Sequence, residues 1–130
     1  MRLARSLYVR SSSVDTDFFV RVCDVHPDGR SINVCDGLLR LHAGVAIDTD
    51  DDGVQRVVLA LWDTAYRFAI GHRIRVQVSS GAHPRFSRNL GSGEPLGTAT
   101  TMVVQHQSVF HDPRHPSALI FNVSAGNTGE

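Results

Sequence analysis

Apolar and polar residues alternate with a period of two over several short stretches, and this pattern organises the chain. The cleanest case begins at residue 73. Ile74, Val76 and Val78 fall on one side, and Arg73, Arg75, Gln77 and Ser79 on the other, the signature of a half-buried strand. An earlier and less regular strand covers residues 3–11, where Leu3, Arg5, Leu7 and Val9 alternate with Ala4, Ser6, Tyr8 and Arg10. In the next strand, over 18–26, Phe18, Val20 and Val22 alternate with Phe19, Arg21 and Cys23. Pro27-Asp28-Gly29 then marks a turn, because proline presets φ and glycine accepts the left-handed position. Residues 32–41 return as the partner strand of a hairpin. Gly37 within it predicts a bulge or a close backbone approach.

The segment 54–70 reads two ways. Val54, Val57, Val58, Leu61, Trp62, Ala65, Phe68 and Ala69 fit a helical stripe, and Gly71 would cap a helix ending there. Equally, 57–62 reads as a buried strand followed by one helical turn over 64–68. Periodicity alone favours the helix. Further strands are expected at 100–105, 108–111 and 118–123, separated by Asp112-Pro113 and His115-Pro116. Between residues 79 and 100 runs a long loop punctuated by Gly81, Pro84, Gly91, Gly93 and Pro95. The tail from 124 to 130 is small and polar and is expected to fray. Many short strands, frequent turns and one helical turn predict an all-β jelly-roll sandwich, occupying 1–130 as a single domain.

At 130 residues the chain is of one-domain size and long enough to bury a core without staples. Thirteen basic and thirteen acidic residues balance, so neither nucleic acid nor an anionic membrane is expected as a partner. All thirteen basic residues are arginine. This points first to a GC-rich bacterial genome and second to planar, bidentate pairing. The first ten residues carry a charge every few positions, and no later run is long enough to span a bilayer; a cytoplasmic protein is the expectation. Cys23 and Cys35 flank the hairpin turn, where a disulfide would require them to face each other. In a reducing compartment two buried thiols are expected instead, and their spacing does not suit zinc.

Asp48, Asp50, Asp52 and Gly53 match positions 1, 3, 5 and 6 of a calcium loop. The twelfth position is Leu59 rather than glutamate, so the ordinary reading is a solvated acidic hairpin tip. Asp48, Asp50 and Asp52 stand as weak divalent-ion candidates, and no cofactor is expected. Ser79-Ser80-Gly81 lacks the elbow of a serine nucleophile. His106, His111 and His115 run into Pro113 and Pro116, which forbid a common helix face, and read as turn histidines bonding backbone. His72 reads as structural. Gly91-Ser92-Gly93 is too short for a phosphate cradle. No catalytic residue is therefore assigned. His83, Pro84, Arg85, Phe86, Arg88 and Asn89 remain. One reading is an ordered loop whose arginines pair with acids elsewhere in the domain. Another is a docking loop for a partner domain, since arginine and aromatic residues dominate interface hot spots. A sugar or small-ligand site is a third.

The run from Asp15 through Phe18-Phe19-Val20-Arg21 to His26-Pro27-Asp28-Gly29-Arg30-Ser31 resembles the C-terminal domain of the X-Pro dipeptidyl-peptidase and cocaine-esterase-like serine hydrolases. So do Leu61-Trp62-Asp63-Thr64-Ala65, Gly71-His72-Arg73-Ile74-Arg75-Val76 and Ser79-Ser80-Gly81-Ala82-His83-Pro84-Arg85-Phe86-Ser87-Arg88-Asn89. The resemblance implies a galactose-binding-like jelly roll packed on an α/β-hydrolase domain that holds the catalytic triad. It implies substrates among acyl esters, amino-acid esters, acylated antibiotics and X-Pro peptides. It also makes the segment before Leu61 a strand, with only a short helical turn after it. The catalytic domain is absent, so no triad residue carries over. The chain also starts almost on its first strand, without the strand material that usually precedes it in the family, and a missing edge strand would expose unpaired backbone. A homodimer formed by strand pairing or exchange is expected from that. The rival expectation is a free-standing carbohydrate- or ligand-binding module. The lone tryptophan, Trp62, weakens it, because the pattern puts Trp62 in a core strand.

Overall fold

The computed structural model describes residues 4–45 and 47–124. Among these residues nine strands follow in chain order: β1 (Ala4–Ser11), β2 (Thr16–Val25), β3 (Ser31–Leu41), β4 (Asp48–Thr49), β5 (Gln55–Ala60), β6 (Arg73–Ser79), β7 (Gln107–Asp112), β8 (His115–Pro116) and β9 (Ala118–Ile120). They form two sheets. One has the order β4-β5-β1-β7-β8 with β9 also on β1, the other β3-β2-β6. Every pairing is antiparallel.

Alternation explains how the sheets meet. Leu7 and Val9 of β1 and Val57 and Leu59 of β5 turn inward from one sheet. Phe18, Val20 and Val22 of β2 and Leu41 of β3 turn inward from the other. Each such side chain contributes about 1.5–3 kcal/mol when fully buried. Gly37 faces the same interior. A Cβ there would lie 2.8 Å from the Ala60 carbonyl oxygen and 3.1 Å from a Leu61 methyl, so this glycine allows the end of β5 to press on β3. The bulge is elsewhere: Val22 pairs with Cys35 and Cys23 with Asn33, leaving Val34 as the extra residue of β3. That irregularity puts Cys35 opposite Val22 rather than opposite Cys23, and no disulfide joins the two cysteines.

Several expectations need correction. No helix, and no helical turn at 64–68, is present among the described residues. Residues 4–9 of β1 pair position by position with 55–60 of β5, and that ladder captures the apolar run which a helical stripe would otherwise have used. After it the backbone runs irregularly to residue 70, and Phe68 packs against the core. Trp62 is 68% exposed rather than in a core strand. Residues 100–105 form no strand. The apolar row of β6 is not half-buried in the way the alternation suggested. Ile74 and Val76 share the inward side with their cross-strand neighbours Asp24 and Val22, yet are 49% and 43% exposed. β6 pairs with β2, and of its apolar row Val78 packs against the core.

Candidate docking site

β6 ends at Ser79, and the chain then runs without regular structure until β7 begins at Gln107. Two buried aspartates on the β2–β3 hairpin hold the first part of this loop. Asp36 Oδ2 accepts from Arg85 and lies 3.4 Å from Arg21 Nη2. The Arg85 guanidinium also stands 5.2 Å from the Phe86 ring centre, and that of Arg21 5.0 Å from Phe19. The rings of Phe19 and Phe86 are 6.1 Å apart. Cations and rings thus stack around one carboxylate, with the guanidiniums over ring faces.

The second anchor is Asp17, which is 2% exposed. Arg40 grips it with a fork: Nε donates to Oδ1 at 3.0 Å and Nη2 to Oδ2 at 2.8 Å, the geometry that suits a guanidinium to a carboxylate. Asn89 Nδ2 donates to Asp17 Oδ1 at 3.0 Å, and Arg40 Nη2 also donates to the Ser87 carbonyl at 2.8 Å. Beyond Asn89, Gly91 has φ of +75° and abuts the Gln105 amide so closely that no Cβ fits. Gln105 in turn donates to the Asp15 carbonyl at 2.7 Å and accepts from the Thr16 hydroxyl at 2.8 Å.

Of the six residues singled out by sequence, Arg85, Phe86 and Asn89 therefore contact the hairpin, Arg85 with its side chain still half-exposed, while His83, Pro84 and Arg88 are exposed. The pairing of Arg85 with Asp36 follows the first of the sequence readings. The loop forms a ridge between two open grooves, of about 630 Å³ on the side of Phe19, Arg21 and Gln77 and about 430 Å³ on the side of Arg88, Val103 and Gln107. Ser79 Oγ donates to the Gly81 carbonyl, so it is not poised as a nucleophile.

The acidic tip is used by the protein itself. Asp50 Oδ1 accepts the backbone N–H groups of Asp52 and Val54, both at 2.9 Å. Its Oδ2 meets His115 Nε2 at 2.8 Å, and Asp112 Oδ2 lies 3.1 Å from His115 Nδ1. Asp48 and Asp52 are exposed. His115 is thus a buried bridge between two carboxylates rather than a turn histidine bonding backbone. Both carboxylates raise its pKa, Asp50 more than Asp112, and it lowers theirs. His106 and His111 are exposed.

At the other end of β2 lies a cluster that sequence reasoning missed. Asp24, 2% exposed, lies 2.8 Å from His72 Nδ1 and accepts the Tyr66 hydroxyl at 2.6 Å. His26 Nε2 stands 3.9 Å from Asp24 Oδ2. The Tyr66 bond, ahead of that from His72, holds Asp24 below the usual carboxylate range despite its burial. The available signal was Asp24-x-His26 on one side of a strand end. The arrival of His72 beside it depends on the β2–β6 register, where Asp24 pairs with Ile74.

The fold and the loop together define a two-sheet antiparallel β-sandwich with a loop ridge pinned by buried aspartates. The sequence profile of the X-Pro dipeptidyl-peptidase C-terminal non-catalytic domain matches residues 4–120, and the chain belongs to that family. It is 35% identical over 126 residues to a protein named cocaine esterase from Rhodococcus sp. (strain MB1 Bresler), an alignment covering 90% of this chain and 21% of the relative. The chain thus spans about a fifth of that relative's length.

Proposed function

We propose that this chain is the accessory part of a serine hydrolase of the X-Pro dipeptidyl-peptidase or acyl-ester hydrolase type. It docks on an α/β-hydrolase domain and helps wall the substrate cleft, with the chemistry supplied by that partner. The observation that carries the reading is the inner row of β6. Ile74 and Val76 are turned to the interior side yet half-exposed, and the pinned ridge with exposed His83 and Arg88 starts where β6 ends. An apolar strip beside a rigid, arginine-bearing ridge suits a partner that covers both. The test is association with a matching α/β-hydrolase domain by calorimetry. Val76→Asp and Arg88→Glu should each weaken it, and affinity unchanged from that of the unaltered chain in both variants would remove the reading.

A second reading has one observation in its favour. Trp62 is exposed and lines an open groove of about 270 Å³ with Asp63 and Arg85, the elements of a sugar platform. Retardation of the chain on immobilised galactans, lost in Trp62→Ala, would favour a free-standing carbohydrate module.

A further inference from the structure

We propose that Asp24, His26 and His72 form a binding site for a divalent transition-metal ion of the zinc type, at the end of the sandwich opposite the docking ridge. Their ligand atoms all lie within 4.8 Å of one another. Two imidazoles and one carboxylate suit zinc, nickel, copper or iron rather than magnesium or calcium, which prefer oxygen ligands.

Hydrogen bonds to Asp24 account for Tyr66 and His72 but not for the approach of His26. Its Nε2 is too far from Asp24 for a hydrogen bond at 3.9 Å, and its ring centre lies 4.3 Å from that of His72. An ion about 2.0–2.2 Å from each ligand atom fills such a gap, and tetrahedral geometry sets those atoms roughly 3.3 Å apart. The 2.8 Å contact of Asp24 with His72 then opens slightly while His26 swings in. Each imidazole binds as the neutral ring, with its proton on the nitrogen turned away from the ion. Arg30 Nη2 lies 3.5 Å from His26 Nδ1. That guanidinium is at the surface, paired with Asp28, and turns aside when Nδ1 carries the proton.

The scaffold is rigid where the ligands need it. His26 sits in a turn closed by its own N–H to the Arg30 carbonyl at 2.8 Å and by Gly29 N–H to its carbonyl at 2.9 Å. His72 is fixed by its N–H to the Ala69 carbonyl at 3.1 Å. The Tyr66 hydroxyl on Asp24 is the outer hydrogen bond that orients a ligating carboxylate. Three protein ligands leave at least one position for water.

The test is calorimetric titration of the chelator-treated chain with Zn²⁺, together with the visible absorption of Co²⁺. The expected result is one ion per chain, with Co²⁺ bands of four- or five-coordination. His26→Gln should weaken uptake well beyond tenfold, and Tyr66→Phe by about tenfold. His26 is at a partly exposed turn, so its variant decides the matter should His72→Gln fail to fold. Absence of uptake by the unaltered chain overturns the proposal. So does equal uptake by His26→Gln, which would put the ion on the exposed histidines, and equal heat from Mg²⁺, which would contradict the ligand class.

Discussion

Arg85 and Asp36 lie 49 positions apart and meet in an ion pair that fastens the long loop after β6 to β3. Arg21 shares the same carboxylate oxygen, and its Nε is already a buried donor with no partner among the described residues. Asp36→Ala strands both guanidiniums and is expected to cost about 1–3 kcal/mol, read as a lower denaturant midpoint. Arg85→Ala removes a half-exposed partner and should cost about 1 kcal/mol or less. Equal losses in the two variants would contradict Asp36 as the hub.

The inward and outward residues of the loop should separate by assay. Phe86→Ala strips a ring from Phe19 and should lower stability by about 1–2 kcal/mol. His83→Ala and Arg88→Glu leave the anchors intact and should barely move the thermal midpoint. Their effect belongs in association with an α/β-hydrolase domain, where Arg88→Glu is expected to weaken binding about tenfold. A loss of stability in Arg88→Glu would show that the ridge is held differently.

His115 gives stability a pH dependence whose sign follows from its partners. Its pKa is raised above the ordinary 6.5. The contribution is fully present below about pH 6.5 and is lost as pH rises through the folded-state value. Asp50 and Asp112 are lowered from 3.8. Their contribution is present above that and is lost as pH falls through the folded values. Urea midpoints should therefore decline on both sides of a weakly acidic maximum. His115→Gln should flatten the alkaline decline, and an unchanged decline in that variant would assign it to another group.

Gly37→Ala tests the contact of the two sheets. The added methyl meets the Ala60 carbonyl at 2.8 Å, inside van der Waals contact, and overpacking of this kind costs about 1–3 kcal/mol. Chemical denaturation checks it; a neutral result would mean that β5 can retreat from β3 without loss.

Much of the sandwich was legible because its signals are local. Pro27-Asp28-Gly29 and the alternation on either side suffice to place β2, β3 and their turn. The segment 54–70 was not, since Val57, Leu61 and Phe68 satisfy a helical stripe and a ladder equally well until β1 is there to pair with. Trp62 went astray for the same reason: two residues past the ladder, alternation no longer applies. The loop residues were found as a group, but their directions were not, because Asp17 and Asp36 select Arg85 and Asn89 across the fold. Asp24, His26 and His72 become neighbours only through the β2–β6 register.

The free edge of β6 bears on self-association. It hydrogen-bonds β2 on one side, and among the described residues no strand takes the other. Pairing of two copies along this edge predicts a dimer mass in light scattering at high concentration, dissociating on dilution. A monomer mass throughout would remove the self-pairing.

Finally, β2 is buried at every position but Arg21 and paired along both edges. Asp17 holds the ridge at one end and Asp24 gathers the histidines at the other, roughly 23 Å away at about 3.3 Å per residue. Groups so far apart on a stiff strut perturb a protein additively. Changes at one end can therefore be combined with changes at the other without cross-talk, which makes the strand a ruler between two separately adjustable surfaces.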